Sequence, residues 1–214
     1  MPSSTIKVLL LAIEAKHPTL HSHSLRTASL AASIAGTVYP SNLFAISEAT
    51  TAALLHDVGK LYICDSILNK AGTLNEREWE IMREHPSQGA KALSTIPALS
   101  KYAPVVEQHH ESPDGKGYPN GLMLGEILIA SRIINIADRY AALTEHRPYR
   151  RAHAQPAKVV AILESDILLF FGEVKGQSII QTLLRIDTQP KHPLTFSAAS
   201  EYCCGTICAV GGQS

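Results

Sequence analysis

The stretch Leu54-Leu55-His56-Asp57-Val58-Gly59-Lys60 places a histidine beside an aspartate at the end of an apolar helical run. Successive side chains on a helix diverge by about 100°, so both groups can reach one point beside the helix end. An imidazole nitrogen and a carboxylate oxygen suit a divalent transition metal, and the two oxygens of Asp57 allow it to bridge two ions. Gly59 is typical of a helix end, and Lys60 follows where a metal-held phosphate is within reach. The alternative is a core histidine beside a solvated aspartate, and the rest of the sequence has to decide between them.

The composition is that of a globular chain long enough for one domain with a sizeable core. The chain has 214 residues, of which 45% are hydrophobic and 18% are charged. Lys+Arg and Asp+Glu both number 19, so no charge excess attracts a nucleic-acid polymer or a membrane surface. The apolar run over residues 8–13 is too short to span a membrane and has no signal-cleavage pattern, so we expect a cytoplasmic protein.

The four cysteines do not have the spacing of a disulfide framework, and we expect a reduced protein. Cys64 follows the His-Asp stretch, whereas Cys203, Cys204 and Cys208 lie close together near the C-terminus. That cluster permits either a metal site or a loose tail with incidental thiols, and we favour the tail.

Apolar residues recur with helical spacing through most of the chain, and no stretch shows the alternation of a strand. We therefore predict an all-α fold, with one compact domain over residues 1–187 and a loosely ordered tail over residues 188–214. Thr73 and Glu76 have capping-box spacing and predict a helix start, while the glycines and prolines of residues 112–125 predict the longest loop. The predicted helices cover residues 5–16, 20–38, 43–56, 73–84, 86–96, 98–110, 126–145, 155–170 and 174–186.

Four further positions extend the pattern of metal-ligand types. His23 lies in the second predicted helix, His85 lies at a helix end, and His109-His110 precede the long loop. Asp138 lies on an otherwise apolar helix face, where a charge is costly unless it is paired or bound to a metal. Each of these residues alone fits a satisfied histidine or a solvated aspartate, but together they indicate a metal centre.

In this order, these features resemble the HD-GYP phosphodiesterases, a branch of the HD superfamily of metal-dependent phosphohydrolases. The signature ending in Gly117-Tyr118-Pro119 is highly specific, whereas a lone His-Asp pair is not. The resemblance covers roughly residues 5–185 and implies a single compact helical bundle of the HD superfamily with a glycine-rich GYP loop. The matching strings are His23-Ser24-Leu25-Arg26, residues 53–60, Glu84-His85-Pro86, residues 109–119, residues 132–138 and Arg147-Pro148-Tyr149-Arg150.

The resemblance implies a centre of two divalent metal ions, which in this family are usually iron or manganese. By position, the ligands of one ion would be His23, His56, Asp57 and Asp138. The ligands of the other would be Asp57, His85, His109 and His110, with Asp57 shared between the ions.

The resemblance also implies a substrate, cyclic di-GMP, which a hydroxide bridging the two ions would open to linear pGpG and in some members convert further to GMP. Lys60 would neutralise charge on the phosphate, so Lys60 and Asp57 are the predicted catalytic residues. Two alternatives stay open: Tyr118 can be a packing residue that closes the loop, and Arg147 and Arg150 can lie at a solvated helix end. The predicted substrate-binding residues are Lys60, Asp114, Gly117, Tyr118, Arg147 and Arg150.

The chain departs from the family pattern in three respects. Thr19 stands where some members carry a glutamate that holds a third metal, so we expect two ions. Ala141 stands where the family usually has an aspartate, which puts substrate contact and selectivity in doubt. The sequence shows no N-terminal sensor or receiver domain, so we expect a stand-alone form or a piece of a longer chain.

Two other functions remain open at this stage. One is a catalytically weak HD-GYP module that docks partner proteins, and the other is an HD phosphohydrolase acting on another nucleotide such as cyclic GMP-AMP. The expected partner is a cyclic dinucleotide, with proteins of cyclic di-GMP signalling as further candidates. A homodimer is left open, and neither a nucleic-acid polymer nor a membrane is expected.

Overall fold

The computed structural model describes residues 2–145 and 155–186, and the statements below concern these ranges. Their regular elements are helical, apart from an isolated bridge between Asp114 and Met123, so the predicted all-α fold is confirmed. Short 3-10 segments cover Val58–Tyr62 and Ser100–Tyr102. The α-helices are α1 Pro2–Lys16, α2 Pro18–Val38, α3 Leu43–Leu55, α4 Asp65–Leu68, α5 Glu76–Met82, α6 His85–Ser94, α7 Ala103–Glu107, α8 Ile129–Thr144 and α9 Pro156–Ile186.

Helix α2 lies at the centre and packs against α1, α3, α8 and α9. Its buried face is rich in small residues such as Ala28, Ala31 and Ala35, which let the neighbouring helices approach closely. The facing helix α3 is also alanine-rich, with Ala52 and Ala53 fully buried. His23 lies in α2, and His56 and Asp57 directly follow α3, so this tightly packed pair positions three of the predicted metal ligands.

Helix boundaries differ from the predictions where local capping decides them. The predicted capping box from Thr73 to Glu76 is wrong: the box lies two residues later, at Asn75 and Glu78. The Asn75 side chain accepts from the Glu78 N–H at 2.9 Å, and Glu78 Oε2 accepts from the Asn75 N–H at 2.8 Å. Asparagine is as good an N-cap as threonine, so the spacing alone could not choose between the two positions.

The helix predicted over residues 98–110 is also interrupted. A 3-10 turn at Ser100–Tyr102 precedes α7, which ends at Glu107 rather than at His110. Gln108 leaves the helix with φ −90° and ψ 1°, and its side chain accepts from the Leu128 N–H at 2.8 Å. His109 and His110 therefore lie on a turn and not in a helix.

Near the C-terminal end of the described region, α8 begins at Ile129 rather than at Glu126, whose carboxylate instead accepts from the Met123 N–H at 2.9 Å. The two helices predicted over residues 155–186 appear as α9, which is kinked at Gly172 with φ 76°. No helix within residues 2–145 and 155–186 has the length and apolarity needed to cross a bilayer. The predicted tail lies outside the described residues.

Candidate metal centre

Five segments of the chain deliver the predicted metal ligands to one place. Helix α2 supplies His23, the C-terminal end of α3 supplies His56 and Asp57, and α8 supplies Asp138. The first residue of α6 and the turn after α7 supply the remaining three histidines. Within each of three overlapping groups, the potential ligand atoms lie within 4.8 Å of one another: His23, His56 and Asp138; His56, Asp57 and His109; and His85, His109 and His110.

The nitrogens of three histidines show which atom is available to an ion. In each ring Nδ1 lies against the backbone carbonyl oxygen three residues earlier, so Nδ1 must carry the proton and donate it. Nε2 is then the nitrogen that faces the cluster, the arrangement that outer hydrogen bonds impose on metal-binding histidines. The three bonds are His56 to Ala53 at 2.7 Å, His85 to Met82 at 2.8 Å and His109 to Val106 at 2.5 Å.

Two atoms at the centre of the cluster are buried without a hydrogen-bond partner among the described residues: His56 Nε2 and Asp57 Oδ1. Buried polar atoms are costly when unpaired, and a divalent cation would satisfy both. Asp57 Oδ1 lies 3.4 Å from His85 Nε2, whereas Oδ2 lies 3.3 Å from His56 Nε2. The donor set therefore fits divalent ions, with one carboxylate oxygen of Asp57 turned toward each half of the cluster.

In one half of the cluster, carboxylates dominate the electrostatics. Burial by itself would lower the pKa of His56, but the charge of Asp57 and the contact with Asp138 raise it to about 10. Burial is likewise overcome at His23, whose pKa is raised by hydrogen bonds to Asp138 and Glu145. Burial opposes ionisation of the two aspartates, yet the neighbouring imidazoles hold both pKa values well below the usual range. This half is thus a set of ion pairs between protonated histidines and ionised aspartates.

In the other half, the imidazoles are neutral. Burial, followed by the charge of Lys60, lowers the pKa of His85 to about 3. Burial also lowers the pKa of His110 to about 4 and that of His109 well below its usual value. Neutral imidazole is the form that binds a transition metal, so these three side chains are ready to do so at neutral pH.

Lys60 lies at the edge of this centre. Its Nζ donates to Asp57 Oδ2 at 2.7 Å, and the lysine side chain is 21% exposed. The ammonium group thus reaches from solvent to the buried carboxylate.

The aromatic ring of the GYP loop also faces the centre. The Tyr118 ring stacks on His110 with 4.7 Å between ring centroids and an interplanar angle of 28°. The Arg83 guanidinium carbon lies 5.7 Å from the Tyr118 ring centroid, so a cation neighbours this ring. Burial raises the pKa of Tyr118, which keeps its phenol protonated and able to donate a hydrogen bond.

The remaining predicted substrate-binding residues take other positions. A Cβ at Gly117 would come within 2.2 Å of the Ser112 nitrogen, so Gly117 is where the loop packs against its own backbone. Asp114 bonds the Lys116 N–H at 3.1 Å at the surface rather than joining the histidine cluster. Arg147 and Arg150 lie outside the described residues.

The two positions that depart from the family pattern are also resolved. Thr19 is exposed and its hydroxyl lies 2.8 Å from His17 Nδ1. Ala141 is fully buried in the hydrophobic core, so its methyl group lines no open surface.

Sequence reasoning missed three residues that build the site. Glu111 is fully buried and accepts from the N–H groups of Asn120 and Leu122 at 2.7 and 2.9 Å, which holds the GYP loop in place. Asn135 donates to the carbonyl oxygens of His109 and Glu111 and so joins α8 to that loop. The carboxylate of Glu145 lies 3.0 Å from His23 Nδ1. A glutamate inside the loop signature was a usable signal for Glu111, but nothing in the sequence marks Glu145.

Comparison with known proteins places this geometry in a family. The family model described as "HD domain" matches residues 7–166. The chain belongs to the HD domain family. The predicted membership of the HD superfamily is thereby confirmed, and an HD domain implies that divalent metal ions are bound.

Relatives of this HD domain have names that state an activity. The chain is 32% identical over 186 residues to a cyclic di-GMP phosphodiesterase of Thermotoga maritima, which covers 86% of the chain and 49% of that relative. It is 38% identical over 160 residues to a 3'3'-cGAMP-specific phosphodiesterase of Vibrio cholerae, covering 72% of the chain and 33% of that relative. The chain thus spans half or less of the length of these relatives.

Among solved structures, the HD domain of the phosphodiesterase PgpH of L. monocytogenes, in complex with cyclic-di-AMP, is similar with a TM-score of 0.66 and 20% identity. The superposition covers 86% of this chain and 99% of that domain. At this identity the match establishes the fold of the HD domain.

Proposed function

We propose that this HD domain hydrolyses the phosphodiester bonds of cyclic di-GMP to linear pGpG, with two divalent metal ions, iron or manganese. The observation that carries the proposal is the pair of ligand groups that meet at Asp57, whose two oxygens turn toward different halves. Similarity to the cyclic di-GMP phosphodiesterase of Thermotoga maritima supports the choice of substrate.

Each half of the cluster would hold one ion. The first ion would be bound by His23, His56, Asp57 and Asp138. The second would be bound by Asp57, His85, His109 and His110. When bound, such a pair activates water as a nucleophile and stabilises the charge that develops on the phosphate and on the leaving oxygen.

The protein's own groups bind and orient the substrate in this proposal. Lys60 donates to the Asp57 carboxylate, and it would neutralise charge on the phosphate as that charge develops. Tyr118 offers a ring face to a guanine base and a protonated hydroxyl, and Arg83 brings a positive charge to the same ring. Burial of the histidines excludes water from the ligand atoms, which strengthens every electrostatic contact there.

The decisive measurement is turnover of cyclic di-GMP by protein loaded anaerobically with Mn²⁺ or Fe²⁺, with pGpG and GMP separated by chromatography. We expect turnover by the native chain and none by Asp57→Ala, which removes the shared carboxylate. A chelator should abolish the activity and added Mn²⁺ should restore it. A fully metal-loaded native chain that leaves cyclic di-GMP intact would disprove the proposal.

Cyclic GMP-AMP is a second candidate substrate, because the chain is 38% identical to a 3'3'-cGAMP-specific phosphodiesterase over 160 residues. Rates on cyclic di-GMP, 3'3'-cGAMP and cyclic di-AMP under the same conditions separate these substrates. Binding of a cyclic dinucleotide without turnover would instead favour the signalling module that docks partner proteins. Docking of partner proteins, a homodimer and a cytoplasmic location remain predictions of the sequence.

A further inference from the structure

Glu145 is the first residue beyond α8, and its carboxylate reaches back to the metal centre. Its backbone N–H donates to the Ala141 carbonyl oxygen at 2.9 Å, and with φ −72° and ψ 142° the chain turns out of the helix there. Its Oε2 atom lies 3.0 Å from His23 Nδ1, although the two residues are 122 positions apart in the sequence. The glutamate side chain is 21% exposed and that of His23 only 6%, so the contact lies at the border of the buried site.

This contact differs in kind from those of the other histidines. The Nδ1 atoms of His56, His85 and His109 each donate to a backbone carbonyl oxygen, which is neutral. His23 Nδ1 donates instead to a carboxylate. Charge-assisted hydrogen bonds are about twice as strong as neutral ones, so His23 is held by the strongest outer contact described for these four rings.

The other nitrogen of His23 points into the cluster. Its Nε2 atom lies 2.7 Å from Asp138 Oδ1, and an ion bound by both atoms would displace the proton that they share. With that proton displaced, the remaining proton stays on Nδ1 because Glu145 accepts it there. The carboxylate therefore selects the tautomer that binds through Nε2, fixes the ring plane and makes the imidazole a stronger donor.

We propose that Glu145 is a positioning residue that makes the half formed by His23, His56 and Asp138 the tighter of the two ion sites. Three carboxylates surround that half, those of Asp57, Asp138 and Glu145, whereas the other half has three imidazoles and only the shared Asp57. The proposal rests on the proposed function in that it takes both halves to bind divalent ions.

The test is a calorimetric titration of the metal-free full chain with Mn²⁺, which gives a dissociation constant for each ion without any turnover. We expect Glu145→Ala to weaken the tighter site about 10- to 100-fold, the usual effect of removing an outer partner of a metal-binding histidine, and to leave the weaker site unchanged. Glu145→Gln keeps an oxygen acceptor without the charge, so it should weaken Mn²⁺ binding at the tighter site less than the alanine variant does. Glu164→Ala, which removes an exposed glutamate of α9, is the matched control and should bind both ions like the native chain.

The assignment to one half is checked in a His85→Ala background, which disables the other half. Glu145→Ala should weaken the remaining ion in that background by the same factor. Melting temperatures of the metal-free variants report whether each one folds. A Glu145→Ala variant that folds and binds its tighter ion with native affinity overturns this inference but not the proposed function. Equal weakening of both ions in that variant has the same consequence. A native chain that binds no Mn²⁺ overturns the proposed function and this inference together.

Discussion

Gly59 follows His56-Asp57 and lies against the backbone of α6, and a methyl group at this position should push apart the two segments that carry the predicted ligands. A Cβ built on Gly59 would lie 1.8 Å from the His85 carbonyl oxygen and 2.6 Å from the Gly89 nitrogen. Both obstructing atoms belong to backbone, which cannot rotate away as a flexible side chain can. In Gly59→Ala the two segments must therefore separate by about 1.2 Å to reach 3.0 Å, the shortest separation that real Cβ atoms tolerate.

That separation falls between ligands of the same centre. Asp57 is two residues before Gly59, and its Oδ1 lies 3.4 Å from His85 Nε2 on the other side of the contact. Metal sites tolerate ligand displacements of about 0.2 Å, so a shift of about 1 Å should abolish the bridge that we propose for Asp57. Overpacking of this kind costs about 1–3 kcal/mol, which lowers the melting temperature of a chain of this size by about 2–12 °C.

The assay combines calorimetric melting of the metal-free protein with the number of Mn²⁺ ions retained per chain. The matched control is Gly36→Ala in α2, where nothing lies within 4 Å of the new Cβ and the higher helix propensity of alanine gives up to about 1 kcal/mol of stability. We expect Gly36→Ala to melt at or above the native temperature with both ions bound, and Gly59→Ala to melt lower and retain at most one. A Gly59→Ala protein with native melting temperature and two bound ions would refute the reasoning.

Three further outcomes are expected. Arg83→Ala should raise KM for cyclic di-GMP about fivefold with little change in kcat, because an exposed cation contributes about 1 kcal/mol to binding. The control is Arg77→Ala, which removes an exposed arginine of α5 and should leave KM unchanged, and equal KM values in the two variants would exclude Arg83 from the substrate site. Glu111→Gln should lower the free energy of unfolding by about 1–3 kcal/mol in a denaturant titration, because the buried side chain then offers one acceptor oxygen instead of two to the N–H groups of Asn120 and Leu122. Native stability of this variant would contradict that account. Mn²⁺ affinity should rise as the pH rises from about 7 to about 9, because the ion displaces the proton of His56, whose pKa is raised to about 10. Titrations in buffers of different ionisation enthalpy measure the release of that proton, and an affinity that does not depend on pH would show that no proton is displaced.

The predicted ligands could be named from sequence because the motifs that contain them match those of the HD-GYP phosphodiesterases position by position. The structure brings all seven side chains together, and their binding of ions remains a proposal. Helix boundaries were harder to predict from sequence. For example, α7 ends at Glu107 because of the conformation of Gln108, which the spacing of apolar residues does not encode. The capping box at Asn75 was missed because Thr73 offered the same spacing with an equivalent capping side chain.

Two contacts of the site were beyond the reach of sequence reasoning. The bond between Glu145 and His23 joins residues 122 positions apart, and a glutamate after a helix end is unremarkable until the fold places it against an imidazole. Gly117 was predicted to meet the substrate, yet the space that a side chain would need is occupied by the backbone of Glu111 and Ser112. A glycine in a loop signals close approach, but the chain does not reveal what approaches it.

Apolar periodicity was enough to predict the helical class, because it is a local property of the chain. The resemblance of the motifs to those of the HD-GYP phosphodiesterases then implied the family and the candidate ligands. Tertiary packing alone decided which nitrogen of His56, His85 and His109 faces the cluster. It also decided which imidazoles carry a proton and which outer carboxylate holds His23. The physical reason is that tautomer and charge depend on burial and on partners distant in sequence, and those appear only when α2, α3, α6 and α8 meet around Asp57.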